Sequence, residues 1–277
     1  MRMNRSRFLL TISLMLLIIL VSAACSVQSQ QKQAQSGQGV AQPQREQQAE
    51  LLISAAASLT VVLDEIINAF QEQYGVRIEV NYGSSGMLQK QIQQGAPVDV
   101  FISAGSKQMD ELLEQQLVEG VKPLLRNSLV AISALKVKGE YHSLDELLTA
   151  INSDHIALGQ PETVPAGYYA QQALVAEGIW SSWQDRYVYG KDVRQVLSYV
   201  EQGNAQLGFV YATDALSSNA VQVVYYVPEE LHEPIEYPIA IVAASKQRNI
   251  AQQFLSFMQQ VNWRDHYEQS GFQVVAQ

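Results

Sequence analysis

Residues 51–86 read LLISAAASLTVVLDEIINAFQEQYGVRIEVNYGSSG, and the order of patterns in this stretch decides the fold. Leu51 to Ala55 is a short apolar run of the kind a buried strand makes. Leu59, Val62, Leu63, Ile66, Ile67 and Phe70 then recur at helical spacing, and Gly75 ends that helix. Val76, Ile78, Val80 and Tyr82 alternate as a second strand, and a second helix is predicted from about Ser85 to Gln94. Strand, helix, strand, helix implies a parallel sheet with helices on its faces.

The rhythm continues downstream. Val98 to Ser103 reads as a strand, and Met109, Leu112, Leu113 and Leu117 mark a helix. Strands are predicted over Leu129 to Ser133, Ile156 to Gly159, Tyr187 to Tyr189, Leu207 to Tyr211, Val221 to Val227 and Ile239 to Ala244. Helices are predicted over Leu144 to Ala150, Ala166 to Glu177, Asp192 to Gln202 and Ile250 to Met258. Ser143 with Glu146, and Asp192 with Gln195, have capping-box spacing. Gly178 and Gly203 stop their helices. The residues after position 50 exceed what one open sheet needs, so two α/β lobes are expected.

Upstream the material differs. Arg2, Arg5 and Arg7 precede an apolar run from Phe8 to Val21 and the small residues Ser22, Ala23 and Ala24. A basic start, a short apolar run and small residues before a cut site read as a secretory signal over residues 1–24. Cys25, the only cysteine, follows directly. That arrangement resembles a bacterial lipoprotein signal, in which the cysteine becomes the lipidated first residue and anchors the chain to the outer face of the cell membrane. Ten of residues 26–49 are Gln, so residues 25–50 read as the lipidated cysteine and a flexible linker that cannot bury enough surface to order itself.

The chain holds 18 Lys and Arg against 27 Asp and Glu, a net charge of −9. Loss of residues 1–24 removes three arginines and no acid, giving −12. That balance excludes nucleic acid as a partner, which needs a basic footprint. Counted globally it also opposes an anionic ligand. Locally it does not, because helix N-termini carry unpaired N–H groups and about half a positive charge. Ala55-Ala56-Ala57-Ser58, Gly83-Ser84-Ser85-Gly86, Val164-Pro165-Ala166-Gly167 and Asp192-Val193-Arg194 each open a helix, and Tyr211 ends a strand beside them. Small residues let the backbone approach a ligand, and Ser58, Ser85 and Tyr211 add hydroxyl donors. A set of neutral donors suits a small, fully ionised oxyanion.

These junctions resemble the periplasmic molybdate-binding proteins. So do Gly95-Ala96-Pro97-Val98-Asp99-Val100-Phe101-Ile102-Ser103-Ala104, Asn127-Ser128-Leu129-Val130, Leu207-Gly208-Phe209-Val210-Tyr211 and Tyr237-Pro238-Ile239-Ala240. The similarity runs in order from Leu51 to Phe272. It implies a two-lobed type II periplasmic-binding-protein fold, each lobe a mostly parallel sheet flanked by helices, with the cleft between them closing on molybdate or tungstate. Lobe 1 would be residues 51–127 plus 238–277, and lobe 2 residues 128–237. Ser58 and Ser85 would donate through hydroxyl and backbone N–H, Ala166 and Val193 through backbone N–H, and Tyr211 through its hydroxyl. Gly86 stands where the family's serine run often continues with Ser. No cofactor and no direct protein ligand to a metal are implied. The partner would be a membrane ABC permease with its ATPase, served by a monomer.

Rival readings are weaker. No G-x-S-x-G elbow, P-loop or dinucleotide fingerprint is present, and His142, His155, His232 and His266 lie at none of the junctions, so an enzyme is not expected. Asp99 reads as a structural hydrogen-bonding carboxylate. Phosphate keeps a proton at neutral pH and would want a carboxylate acceptor, which the five donors lack. Sulfate has the shape and charge of molybdate but is smaller, and a binding protein of the same fold for sulfate or another small oxyanion is the alternative.

Overall fold

The computed structural model describes residues 50–134, 137 and 139–275. The predicted signal, Cys25 and the linker lie outside these residues, except that Glu50 already opens the first strand.

In chain order, β1 (Glu50–Ala56) leads through a 3-10 turn at Ala57–Leu59 into α1 (Thr60–Tyr74). Then follow β2 (Arg77–Gly83), α2 (Ser85–Gln93), β3 (Val100–Ile102), α3 (Ser106–Glu114) and β4 (Val118–Arg126). Next come β5 (Leu129–Ser133), α4 (Leu144–Ile151), β6 (Ile156–Gly159), α5 (Pro165–Ala176) and α6 (Trp180–Trp183). β7 (Tyr187–Gly190), α7 (Val193–Glu201), β8 (Leu207–Tyr211), α8 (Ala212–Leu216) and β9 (Gln222–Tyr226) follow. β10 (Glu236–Val242), α9 (Arg248–Met258), α10 (Arg264–Gln269) and β11 (Gln273–Val274) complete the described elements.

The strands form two sheets, ordered β11-β4-β10-β3-β1-β2 and β7-β6-β8-β5-β9. Parallel pairing holds where helices make the crossover, with Ile53 opposite both Val80 and Val100. β6 likewise runs parallel to β7 and β8. The remaining ladders are antiparallel, so the sheets are mixed rather than mostly parallel. The physical reason lies at the crossings. The chain leaves the first sheet at Arg126 and enters the second at Leu129, with only Asn127 and Ser128 between, and it returns through residues 227–235. Strands joined that way need no crossover helix and run antiparallel to their neighbours. The two crossings lie side by side, Asn127 N–H donating to the Ile235 carbonyl at 3.2 Å.

α1 buries the face its spacing predicts, whereas α3 buries Met109 and Leu112 but leaves Leu113 46% exposed and ends before Leu117. Val62, Leu63, Ile66, Ile67 and Phe70 of α1 are all buried. Phe70 meets Phe254 and Phe257 edge-on at 5.2 and 5.3 Å, and truncating such a ring to Ala costs about 3–5 kcal/mol. Gly75 closes α1 at φ 66°, where a side chain would be strained. β4 has no counterpart in the sequence reading, because Gly120 and Pro123 both argue against a strand. Pro123 is tolerated there opposite Pro238, beside a register shift. Asp99 is structural, as expected: its carboxylate accepts from Leu52 N–H at 2.8 Å and from Ser245 Oγ at 2.6 Å.

Candidate ligand-binding site

Four strand-to-helix junctions and the end of β8 face one another. Ser58, Ser85, Ala166, Val193 and Tyr211 all line a single small cavity with about 10 Å³ of free space, together with Ala56, Ala57, Gly83, Ser84, Ala104, Val164, Pro165 and Asp192. Pockets for drug-sized molecules run to roughly 300–1,000 Å³, so this one suits something far smaller. No histidine lines it. Among the described residues no cluster of three or more His, Cys, Asp or Glu could hold a metal ion.

The serines do not cap their helices. α1 and α2 have no side-chain cap, whereas Ser143 accepts from Glu146 N–H and Asp192 from Gln195 N–H in the ordinary capping manner. Ser58 is buried, and its hydroxyl instead lies 3.0 Å from the Tyr237 hydroxyl. Tyr237 is also held by Asn127. Asn127 Oδ1 accepts from Ser128 N–H at 2.9 Å, which fixes the amide orientation. Its Nδ2 then donates to Thr213 Oγ1 at 2.9 Å and to the Tyr237 oxygen at 3.2 Å. Either hydroxyl can be the donor in the Ser58–Tyr237 bond, and with Tyr237 donating the Ser58 O–H is free to turn to the cavity. Burial holds the Tyr237 hydroxyl well above its ordinary pKa, so it keeps that proton.

Ser85, fully buried, accepts from Ala104 N–H at 2.9 Å, which leaves its O–H free to donate. Tyr211 also keeps its proton, for the same reason of burial, and donates it to the Ala104 carbonyl at 3.1 Å. Ala104 thus bridges two of the predicted donors, which spacing could not reveal. Ala166 and Val193 are buried residues in first helical turns. A first-turn N–H has no partner within its helix, and a side chain packed inward is why Ala and Val suffice there. Pro165 opens α5 without loss, since a donor at that position would be unpaired anyway.

Three further polar residues stand at the site: Ser84 and Asp192, which the sequence reading placed in donor junctions without assigning them to the ligand, and Asp214, which it did not single out. Ser84 is 5% exposed and lines the cavity, yet its hydroxyl has no hydrogen-bond partner. Asp192 also lines the cavity and is its only charged side chain, with one oxygen engaged by Gln195 N–H at 2.8 Å. Asp214 lies fully buried behind Tyr211, 3.6 Å from Arg194 Nη1. Burial pushes its carboxyl up to about 7, against the lowering pull of Arg194. Its position in the sequence, beside apolar residues of a short helix, carried no sign of burial.

The sequence profile of the bacterial extracellular solute-binding proteins matches residues 51–273. A Bacillus subtilis (strain 168) protein, YvgL, provisionally named an ABC transporter substrate-binding lipoprotein, is 40% identical over 230 residues, 82% of this chain and 87% of that one. The molybdate-binding protein ModA of Escherichia coli (strain K12) is 36% identical over 200 residues, 70% of this chain and 78% of ModA. Among solved structures, the Azotobacter vinelandii periplasmic molybdate-binding protein superposes with a TM-score of 0.73 at 27% identity, covering 82% of this chain and 100% of that one.

Proposed function

This chain belongs to the bacterial extracellular solute-binding protein family, and from that premise we propose that it captures molybdate or tungstate outside the cytoplasm and delivers it to a membrane ABC importer. It is a transport-binding protein, not an enzyme. The observation that carries the ligand assignment is the convergence of five donor residues from separate chain segments on one small cavity. Ser58 and Ser85 donate by hydroxyl and N–H, Ala166 and Val193 by N–H, and Tyr211 by turning its hydroxyl from Ala104 to the ligand.

Hydrogen bonds to a charged group contribute about 1.5–3 kcal/mol each, so a handful supplies the roughly 8 kcal/mol of micromolar binding. No lysine or arginine is required. The two sheets serve as cores of two lobes, residues 51–127 with 238–277 and residues 128–237, which close about the crossings at 127–128 and 227–235. Cys25 carries the lipid anchor, the Gln-rich segment is the tether, and the protein acts as a monomer.

Thermal melts of the full chain in detergent, with molybdate, tungstate, sulfate or phosphate, test this reading. A ligand at a hundredfold its Kd adds about 2.7 kcal/mol, a rise of roughly 5–10 °C at this size. Molybdate and tungstate are expected to give that rise and sulfate and phosphate little. A rise with sulfate alone would establish the alternative, and no rise with any oxyanion would refute the binding function.

A further inference from the structure

We propose that Gly86 and Thr163 form a backbone latch that holds the cleft closed and sets the convergence of the ligand donors. The inference rests on the oxyanion-binding reading above. Gly86 is the second residue of α2, where its N–H has no helical partner, and it donates to the Thr163 carbonyl at 2.9 Å. Its neighbour Ser85 and the residue three beyond Thr163, Ala166, are both in the proposed ligand set. The latch therefore ties together two donor-bearing helix starts, one from each sheet.

Against this chain's turn at Thr163 the glycine is required by space, not by conformation, and the serine that the family often carries here would need a facing turn set farther back. Gly86 sits within α2, yet a Cβ there would stand 2.7 Å from both the Cα and the carbonyl oxygen of Thr163 and 3.0 Å from its carbonyl carbon. These are backbone atoms, and Thr163 has no slack behind it. Thr163 and Val164 N–H both bond the Gln160 carbonyl, at 3.0 and 2.8 Å. The turn is packed onto β6, since a Cβ on Gly159 would meet Val164 Cγ1 at 2.3 Å and one on Gly167 would meet the Gly159 carbonyl oxygen at 1.9 Å. A methyl group at position 86 must then push the two helix starts apart. The same change favours α2 taken alone, because alanine is the better helix former. It penalises closure and spares the open form.

The test is Gly86→Ala in the full chain, with molybdate titration calorimetry, apo melting, and hydrogen exchange of the amide at position 86. Molybdate affinity is expected to fall roughly tenfold to hundredfold, as overpacking against fixed backbone implies. The apo melt should be unchanged or higher. The amide should be protected by saturating molybdate in the parent protein and should exchange rapidly in the variant. Unchanged affinity, or lower affinity with the amide still protected, overturns the latch and leaves the ligand assignment standing. If the parent protein binds no oxyanion, the ligand assignment fails and the amide alone decides. Protection in the ligand-free parent that is lost in Gly86→Ala then supports the latch, and rapid exchange in the parent overturns it.

Discussion

The Tyr211 hydroxyl donates to the Ala104 carbonyl across 3.1 Å, joining the end of β8 to the loop after β3. Its proton is thus engaged in a bond between the two halves of the molecule, and ligand contact requires it to turn. Tyr211→Phe keeps the ring, which packs edge-on against Tyr237 at 5.7 Å. Removing a hydrogen bond to a charged partner is expected to weaken molybdate binding roughly tenfold to 150-fold by calorimetry. Equal affinity would take Tyr211 out of the ligand set.

The three serines separate by what else they touch. Ser85→Ala leaves the Ala104 N–H unpaired and is expected to cost the apo protein about 1–3 kcal/mol in denaturant melts as well as affinity. Ser84 has no partner to lose, so Ser84→Ala should leave the apo melt within about 0.5 kcal/mol. A fall in molybdate affinity on Ser84→Ala would add that hydroxyl to the site, and no fall would exclude it.

Asp192 lines the proposed anion site while its carboxylate caps α7, so a negative charge stands close to the ligand. Asn caps a helix as well as Asp does, so Asp192→Asn removes the charge and keeps α7. Molybdate affinity is expected to rise several-fold, by up to about 1 kcal/mol. A marked fall would show that the carboxylate accepts a proton from its ligand, which points to a protonated oxyanion such as phosphate.

Asp214 makes stability depend on pH. Its carboxyl titrates at about 7 in the fold against an ordinary 3.8, so between those values the native state holds a proton the unfolded chain has lost. Stability therefore falls as pH rises through that window, by on the order of 4 kcal/mol in all. Arg194 opposes the shift and Asp192 adds to it, while Tyr211 and Tyr237 face the same carboxyl still protonated. Asp214→Asn should melt close to the parent protein at pH 4 and above it at pH 8. A difference that does not grow with pH would show that Asp214 is ionised throughout.

Local signals were legible along the chain because they depend on neighbours in sequence. The apolar spacing of α1, the stop at Gly75 and the caps at Ser143 and Asp192 all appear where their patterns lie. The strand-to-helix junctions could be picked out as donor-rich for the same reason. β4 could not, because Gly120 and Pro123 are unfavourable until β10 pairs beside them and supplies Pro238 opposite Pro123. Nor could the antiparallel ladders, which follow from how the chain crosses between sheets.

What the sequence by itself determined is therefore an alternating α/β chain with neutral donors at its helix starts. The tertiary structure alone decided that these starts face one cavity, and which of their hydrogens are already committed. Ser58, Ser84 and Ser85 read alike in sequence. In the fold one shares a hydrogen bond with Tyr237, one has no partner and one accepts from Ala104. Tyr237 and Ala104 lie 179 and 19 residues from the serines they touch. A hydrogen bond is set by a few tenths of an ångström and an angle, and across such separations only the packed fold can fix either.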